Sequence, residues 1–265
     1  MTHRLAQLMF MTVLFAAPAA AADLKVISAG AVRGLIAEII DDYSRQTGQK
    51  FDFTIGTTGQ LRNIIASGQH ADLIIVSAPL MGELEKTGKL APGSRTELGR
   101  VGIGVAVRDG ATSPDVSTPD ALKKALIEAR SVAYTNPAEG GTSGIYFTGV
   151  AERFGIGDEI KKKAVMTRGG REAAIEVAEG RAELAIVFIS EAMAVKGIRL
   201  AGPLPPALQD YSAYAAAIPL SSTDPAAARA FITALTSTAM AERWRRNGFE
   251  PPLPPKREAP PLPPR

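Results

Sequence analysis

The chain has 265 residues, 46% hydrophobic and 22% charged, with no cysteine and two histidines, His3 and His70. It is too apolar for a disordered chain and long enough for one large domain or two smaller lobes. Without cysteine there is no disulfide scaffold, thiolate nucleophile, Cys-ligated metal centre or lipid-anchored N-terminal cysteine, and two histidines cannot build a multi-histidine metal site.

Residues 1–22 read as a secretory signal. His3 and Arg4 give a positive start, residues 5–17 are largely apolar, Pro18 breaks the helix, and Ala20-Ala21-Ala22 fits the A-x-A cleavage rule. Cleavage near Ala22 would start the mature chain at Asp23 and place it in the periplasm. The apolar run is shorter than the ~20 residues a membrane span needs.

Residues 24–28 are the first expected strand. Val32, Leu35, Ile36, Ile39, Ile40 and Tyr43 then recur at helical spacing up to Gly48. Residues 51–55 alternate like a strand, a helix marked by Leu61, Ile64 and Ile65 ends near Gly68, and residues 73–76 are an unbroken apolar run, as in a strand covered on both faces. A helix over 79–87 completes β-α-β-α-β-α, which argues an open α/β fold. Residues 101–107 form another strand. Thr118 as N-cap, with Pro119 at the first helical position, opens a helix. A strand over 131–135 and a helix over 142–154 follow. Residues 164–167, a helix from Gly170, and residues 184–188 make a second β-α-β unit. A late strand over 211–218 and helices over 224–235 and 237–246 close the body. The strands at 101–107 and 211–218 are long and apolar enough to cross between lobes, which divides the chain into lobe I (24–104 plus 208–250) and lobe II (105–207). The tail 251–265, with eight prolines in fifteen residues, reads as a disordered, polyproline-type extension.

The net charge of +3 invites a nucleic-acid reading, but four of the 30 basic residues (Arg4, Lys256, Arg257, Arg265) and one of the 27 acidic ones (Glu258) lie outside residues 23–250, leaving 26 of each. The body's two basic runs, at 161–163 and 243–246, read as solvated helix faces or ends, so no nucleic-acid partner is expected.

Open α/β sheets bind ligands beyond the carboxyl ends of their strands, where helix N-termini converge. Gly30-Ala31, the turn Gly56-Thr57-Thr58-Gly59, Ser77, the loop from Asn136 to Gly144 with Thr142 and Ser143, and Arg168-Gly169-Gly170-Arg171 all fall there. Such turns can hold an anion on exposed N–H groups and the helix dipole. They also have local readings: Thr57 with Gln60 is a capping box, and glycines can serve backbone conformation alone. Arg33, Arg62, Arg168 and Arg171 sit near first turns, where they oppose the dipole. A bound anion or a surface salt bridge would account for each. His70, in a helix-to-strand loop, reads as a surface residue.

The segments SAGAVRGLIAEIIDDYSRQTG (28–48), FTIGTTGQLRNIIASGQHADLIIVSAPLMGELEKTGKL (53–90) and GGREAAIEVAEGRAELAIVFISEA (169–192) resemble the periplasmic molybdate-binding protein family. The resemblance implies a type II periplasmic-binding fold of two α/β lobes joined by crossing strands, an anion in the cleft, hinge closure, and delivery to an ABC-type permease. The family's first ligand serine falls on Gly30, its tyrosine on Phe188 and its helix-one aspartate on Arg33, whereas Thr57 and Thr58 keep their hydroxyls. These departures favour an organic carboxylate over molybdate or tungstate. The expected protein is a monomeric binding protein without catalysis or cofactor, and a ligand-sensing partner of a membrane receptor stands as the alternative role. Porphobilinogen-polymerising enzymes of related fold hold their cofactor on a cysteine, which this chain lacks.

Overall fold

A computed structural model describes residues 23–250; the leader and the proline-rich tail lie outside the described residues. The chain runs β1 (Leu24–Ala29), α1 (Arg33–Thr47), β2 (Phe51–Gly56), α2 (Thr58–Ala66), β3 (Leu73–Ser77), α3 (Ala78–Lys86), β4 (Thr96–Arg108), α4 (Pro119–Glu128), β5 (Val132–Thr135), α5 (Thr142–Arg153), α6 (Gly157–Lys162), β6 (Ala164–Thr167), α7 (Gly170–Ala178), β7 (Leu184–Phe188), α8 (Ile189–Met193), β8 (Ile198–Pro203), β9 (Tyr211–Ala217), α9 (Pro225–Leu235), α10 (Ala241–Arg246) and β10 (Phe249–Glu250). Short 3-10 turns at Gly30–Val32, Pro137–Glu139, Pro206–Leu208 and Thr238–Met240 complete it. No helix among the described residues is long and apolar enough to cross a membrane.

The sheet order is β2-β1-β3-β9-β4-β7-β5-β6, with β10 and β8 also on β4. β1 pairs in parallel with β2 and β3, and β5 with β6 and β7. β3 is buried along its whole length because helices cover both faces, as its unbroken apolar run dictates. α1 buries Leu35, Ile36 and Ile39 and stops at Gly48, whose φ of 75° caps the last turn. α4 begins as its sequence requires: Thr118 accepts a hydrogen bond from Ala121 N–H ahead of Pro119.

β4 joins the two lobes. Its residues Thr96–Gly102 pair with β9, and Ile103–Val107 pair with β7. β9 does not cross. It lies antiparallel between β3 and the first half of β4, so the second of the two expected crossing strands belongs to one sheet only. The chain returns instead through residues 204–210. There the Gln209 carboxamide bonds both sides of Ile103, accepting from its N–H and donating to its C=O, each at 2.9 Å, as a neighbouring peptide would. The hydrogen-bonded path is thus continuous but passes from one sheet to the other through a single strand. The result is the two-lobed type II periplasmic-binding-protein fold, each lobe a mixed sheet built on three parallel strands and flanked by helices.

The basic runs sit where solvated helix ends were expected. Lys161 pairs with Glu152 at 3.1 Å, and Lys163 with Glu159 at 3.2 Å. Arg243 pairs with Asp42 at 2.5 Å, while Trp244 is buried and donates to Leu235 O.

Candidate functional site

The strand ends of the two lobes meet around a cavity of about 400 Å³. From the first lobe it is lined by Gly30, Ala31 and Arg33 after β1, Thr57, Thr58 and Gln60 after β2, and Tyr214 of β9. From the second it is lined by Thr135, Thr142 and Ser143, by Arg168 to Glu172, and by Phe188 and Glu191. Of the residues singled out from sequence, Gly30, Ala31, Arg33, Thr57, Thr58, Thr142, Ser143, Arg168, Gly170, Arg171 and Phe188 come together here. Ser77 does not: it is buried in the sheet opposite Tyr214 and lies outside the lining. Arg62 points away and pairs with Glu83 at 3.0 Å. His70 is half-buried, 3.4 Å from Asp72, and also off the cleft.

Thr57 and Gln60 form the capping box their spacing predicts, Gln60 N–H donating to Thr57 Oγ1 at 3.2 Å and Thr57 N–H to Gln60 Oε1 at 3.0 Å. The Thr57 hydroxyl also donates across the mouth to the Glu139 carbonyl. Its one proton is committed, so Thr57 ties the lobes rather than offering a donor inward. Gln60 Nε2 donates to Glu139 Oε2 at 2.8 Å, Gly59 N–H donates to Gly140 O at 3.1 Å, and the Thr58 and Thr142 hydroxyls lie 3.3 Å apart. The lobes are therefore in contact along one lip. Ser143, buried at the start of α5, has no side-chain partner among the described residues and is the better-placed hydroxyl donor. The glycines beside it are steric: a methyl at Gly141 or Gly144 would collide with Thr135.

Charge in the cleft is arranged asymmetrically. Arg33 and Arg171, one on each wall, have no ion-pair partner among the described residues, while Arg168 lies 3.6 Å from Glu172 and donates its N–H to the same carboxylate. Glu191, in the first turn of α8, is buried and accepts from Phe188 N–H at 3.3 Å and from the Gly170 backbone. Burial pushes its carboxyl up to about 7, against the pull of those two N–H groups. Burial, then the Glu191 charge, raises the Tyr214 phenol as well. A methyl at Gly170 would collide with Glu191 Oε2, so the glycine that opens α7 makes room for the carboxyl. Sequence reasoning missed Glu191, Tyr214 and Gln60 as cleft residues. For Glu191 the available signal was one acid in the apolar run VFISEAMAV.

A family model described as bacterial extracellular solute-binding protein matches residues 24–250. The solved structure of the periplasmic molybdate-binding protein of Azotobacter vinelandii is 20% identical, covers 87% of this chain and 100% of that one, and superposes with a TM-score of 0.72. The sulfate-binding protein SubI from Mycobacterium tuberculosis H37Rv is 19% identical over 86% of each chain, with a TM-score of 0.65. A third relative corrects the expectation that the protein is not an enzyme: a Pseudomonas sp protein named aconitate isomerase is 34% identical over 234 residues, 86% of this chain and 87% of that one. An exported-type binding scaffold and an enzymatic name thus meet in one sequence lineage. The length of the family match leaves no doubt about membership: this chain belongs to the bacterial extracellular solute-binding protein family.

Proposed function

We propose that the cleft binds a small organic polycarboxylate, of the size and charge of aconitate, and that the protein isomerises it. The observation that carries this reading is the pair Arg33 and Arg171, which line opposite walls with no carboxylate partner among the described residues. Unpaired guanidiniums fit planar, two-oxygen anions in a two-pronged geometry that ammonium groups and hydroxyls do not match. Size points the same way. About 400 Å³ lies within the range of roughly 300–1,000 Å³ common for organic ligand sites, whereas a tetrahedral oxyanion has one heavy centre. The identity to a relative named aconitate isomerase supports the same class of acid.

Family membership supports a second role for the same anion site, capture of the acid for an ABC-type permease. In this reading the protein is an exported monomer, cleaved near Ala22, with lobe I spanning 24–104 plus 208–250 and lobe II spanning 105–207. Calorimetry and proton NMR test the proposal on one sample of purified protein. Citrate or aconitate should give saturable heat, and cis-aconitate should convert to the trans isomer. Tight binding of molybdate or tungstate with no heat from any carboxylate would return the cleft to inorganic oxyanions.

A further inference from the structure

We infer that Glu191 is the catalytic residue that carries the proton in this cleft, removing it from a methylene carbon of the bound polycarboxylate and returning it two carbons along the same allylic system. The inference rests on the polycarboxylate reading above and adds the group that does the chemistry.

Elimination and geometry both lead to it. The chain has no cysteine. Among the described residues, no lysine or histidine lines the cavity. The Tyr214 phenol is pushed upward and stays protonated at neutral pH. Glu172 is engaged by Arg168 through both its backbone N–H and its guanidinium. Glu191 remains. It is buried, pairs with no cation among the described residues, and lines the cavity between the glycine that follows β1 and the glycine that opens α7: a methyl on Gly30 would lie 3.7 Å from its Oε1, and one on Gly170 would overlap its Oε2. The absence of side chains at Gly30 and Gly170 thus leaves the room the carboxyl occupies, at the lining of the cavity. The N–H groups of Phe188 and Gly170 are in place to hold the anion when it forms. Its proton comes and goes at about pH 7, where a general base and its conjugate acid are both available. The other ionisable groups around it are Arg33, Arg168, Arg171, Glu172 and Tyr214.

The step balances without an oxidant, a reductant or a second substrate. In a fragment –CH2–C=CH– flanked by carboxylates, Glu191 takes a methylene proton. The C–H electron pair becomes a new C=C bond, and the old π pair moves to the far carbon, which accepts the proton back from the carboxylic acid. The double bond has moved by one position, and its new geometry is fixed by how the arginines hold the carboxylates.

The test is Glu191→Gln in the full protein, followed by deuterium incorporation from heavy water into cis-aconitate by NMR, with binding of the saturated analogue tricarballylate read by calorimetry. The expected result is tricarballylate affinity within about threefold of the parent and exchange lowered by roughly 100-fold or more. The parent rate should rise through about pH 7 and that limb should vanish in the variant. Glu191→Asp, which keeps a carboxyl but withdraws it by one methylene, serves if the glutamine variant does not fold; it should retain the pH limb at a reduced rate. Exchange by Glu191→Gln within tenfold of the parent, or a parent protein that binds the acid yet exchanges nothing between pH 5 and 9, overturns the inference. A parent protein that binds no carboxylate overturns the polycarboxylate reading itself, and the calorimetry separates that outcome from the others.

Discussion

Gly59 and Gly140 meet backbone to backbone across the lip of the cleft. Gly59 N–H donates to Gly140 O at 3.1 Å, and a methyl on either would come within 2.6–2.8 Å of the other's Cα. No other residue type allows two chain segments this close. Gly140 also has a φ of 67°, which a side chain would strain, but Gly59 sits in the first turn of a helix and is constrained only by its neighbour.

Gly59→Ala is therefore a clean probe of closure. Alanine is a better helix former by about 1 kcal/mol, so the melting temperature should hold or rise. The lip contact is lost, with about 1–2 kcal/mol of closure free energy, and ligand affinity should fall roughly 5- to 30-fold. Calorimetry reads the loss, and small-angle scattering should show a wider molecule.

The buried Glu191 carboxyl has a cost that depends on pH. Below about pH 4 it is protonated whether the chain is folded or unfolded. Between about 4.3, its unfolded value, and about 7, its folded value, the unfolded chain releases the proton first, so stability falls as pH rises, and above 7 the loss is complete. Glu191→Gln should therefore stabilise the protein at pH 8 by roughly 1–3 kcal/mol and do nothing at pH 4. Thermal melts at the two pH values would expose an error in this assignment as a pH-independent difference.

Arg33→Ala and Arg171→Ala should each weaken carboxylate binding by about 1.5–3 kcal/mol, the usual worth of a charged hydrogen-bonded partner. Lysine at either position should recover only part of it, because the two-pronged contact is gone. Equal affinities for parent and both variants in citrate titrations would remove the arginines from the site.

Thr58→Val keeps the shape and removes the hydroxyl that faces Thr142 at 3.3 Å. Ser143→Ala removes the unpartnered donor nearby. Each should cost about 1–3 kcal/mol of binding, and Thr57→Val should reduce closure instead, since its proton goes to Glu139 O. Affinity and scattering measured on all three variants separate the two roles.

Away from the cleft, Asp72 ties the second β-α-β crossing to the start of α9. It accepts from Lys25 N–H at 3.0 Å, Thr223 N–H at 2.7 Å and Thr223 Oγ1 at 2.9 Å. Burial would raise its carboxyl, but these donors outweigh burial and hold it below the usual carboxylate range. A lowered folded value means the stabilisation is present above the unfolded value near 3.9 and lost as pH falls through the folded one. Asp72→Asn should cost about 1–3 kcal/mol at pH 7 and much less at pH 2, as denaturant titrations at each pH would reveal.

The parts of the fold legible in the sequence are those whose signal is local. β3 and β7 are unbroken apolar runs, and α1, α4 and α9 carry both periodicity and caps. α8 was invisible because it starts directly after β7, with no turn residue between Phe188 and Ile189, and lasts only five residues. Glu191 went unseen with it, since a carboxylate in an apolar run says nothing of the Gly30 and Gly170 backbones that enclose it. β8 was hidden by the glycine and proline at its end, and its pairing with β4 is set by tertiary contact. The turns around the cleft were readable from small residues at strand ends. Which of their hydroxyls point inward was not, because Thr57 spends its proton on a segment more than eighty positions away.

The placement of β9 between β3 and β4 governs the order in which this molecule can be assembled. Residues 73–77 and 96–102 cannot be joined into one sheet until residues 211–217 arrive to lie between them. A ribosome emitting this chain thus produces the whole second lobe before the first is complete, and during that time β3 and β4 present unpaired edges. Pairings of such long sequence separation are entropically slow to close. The nascent first lobe should therefore stay open and protease-sensitive until the late strand is made, then consolidate in one cooperative step that also anchors the near half of β4.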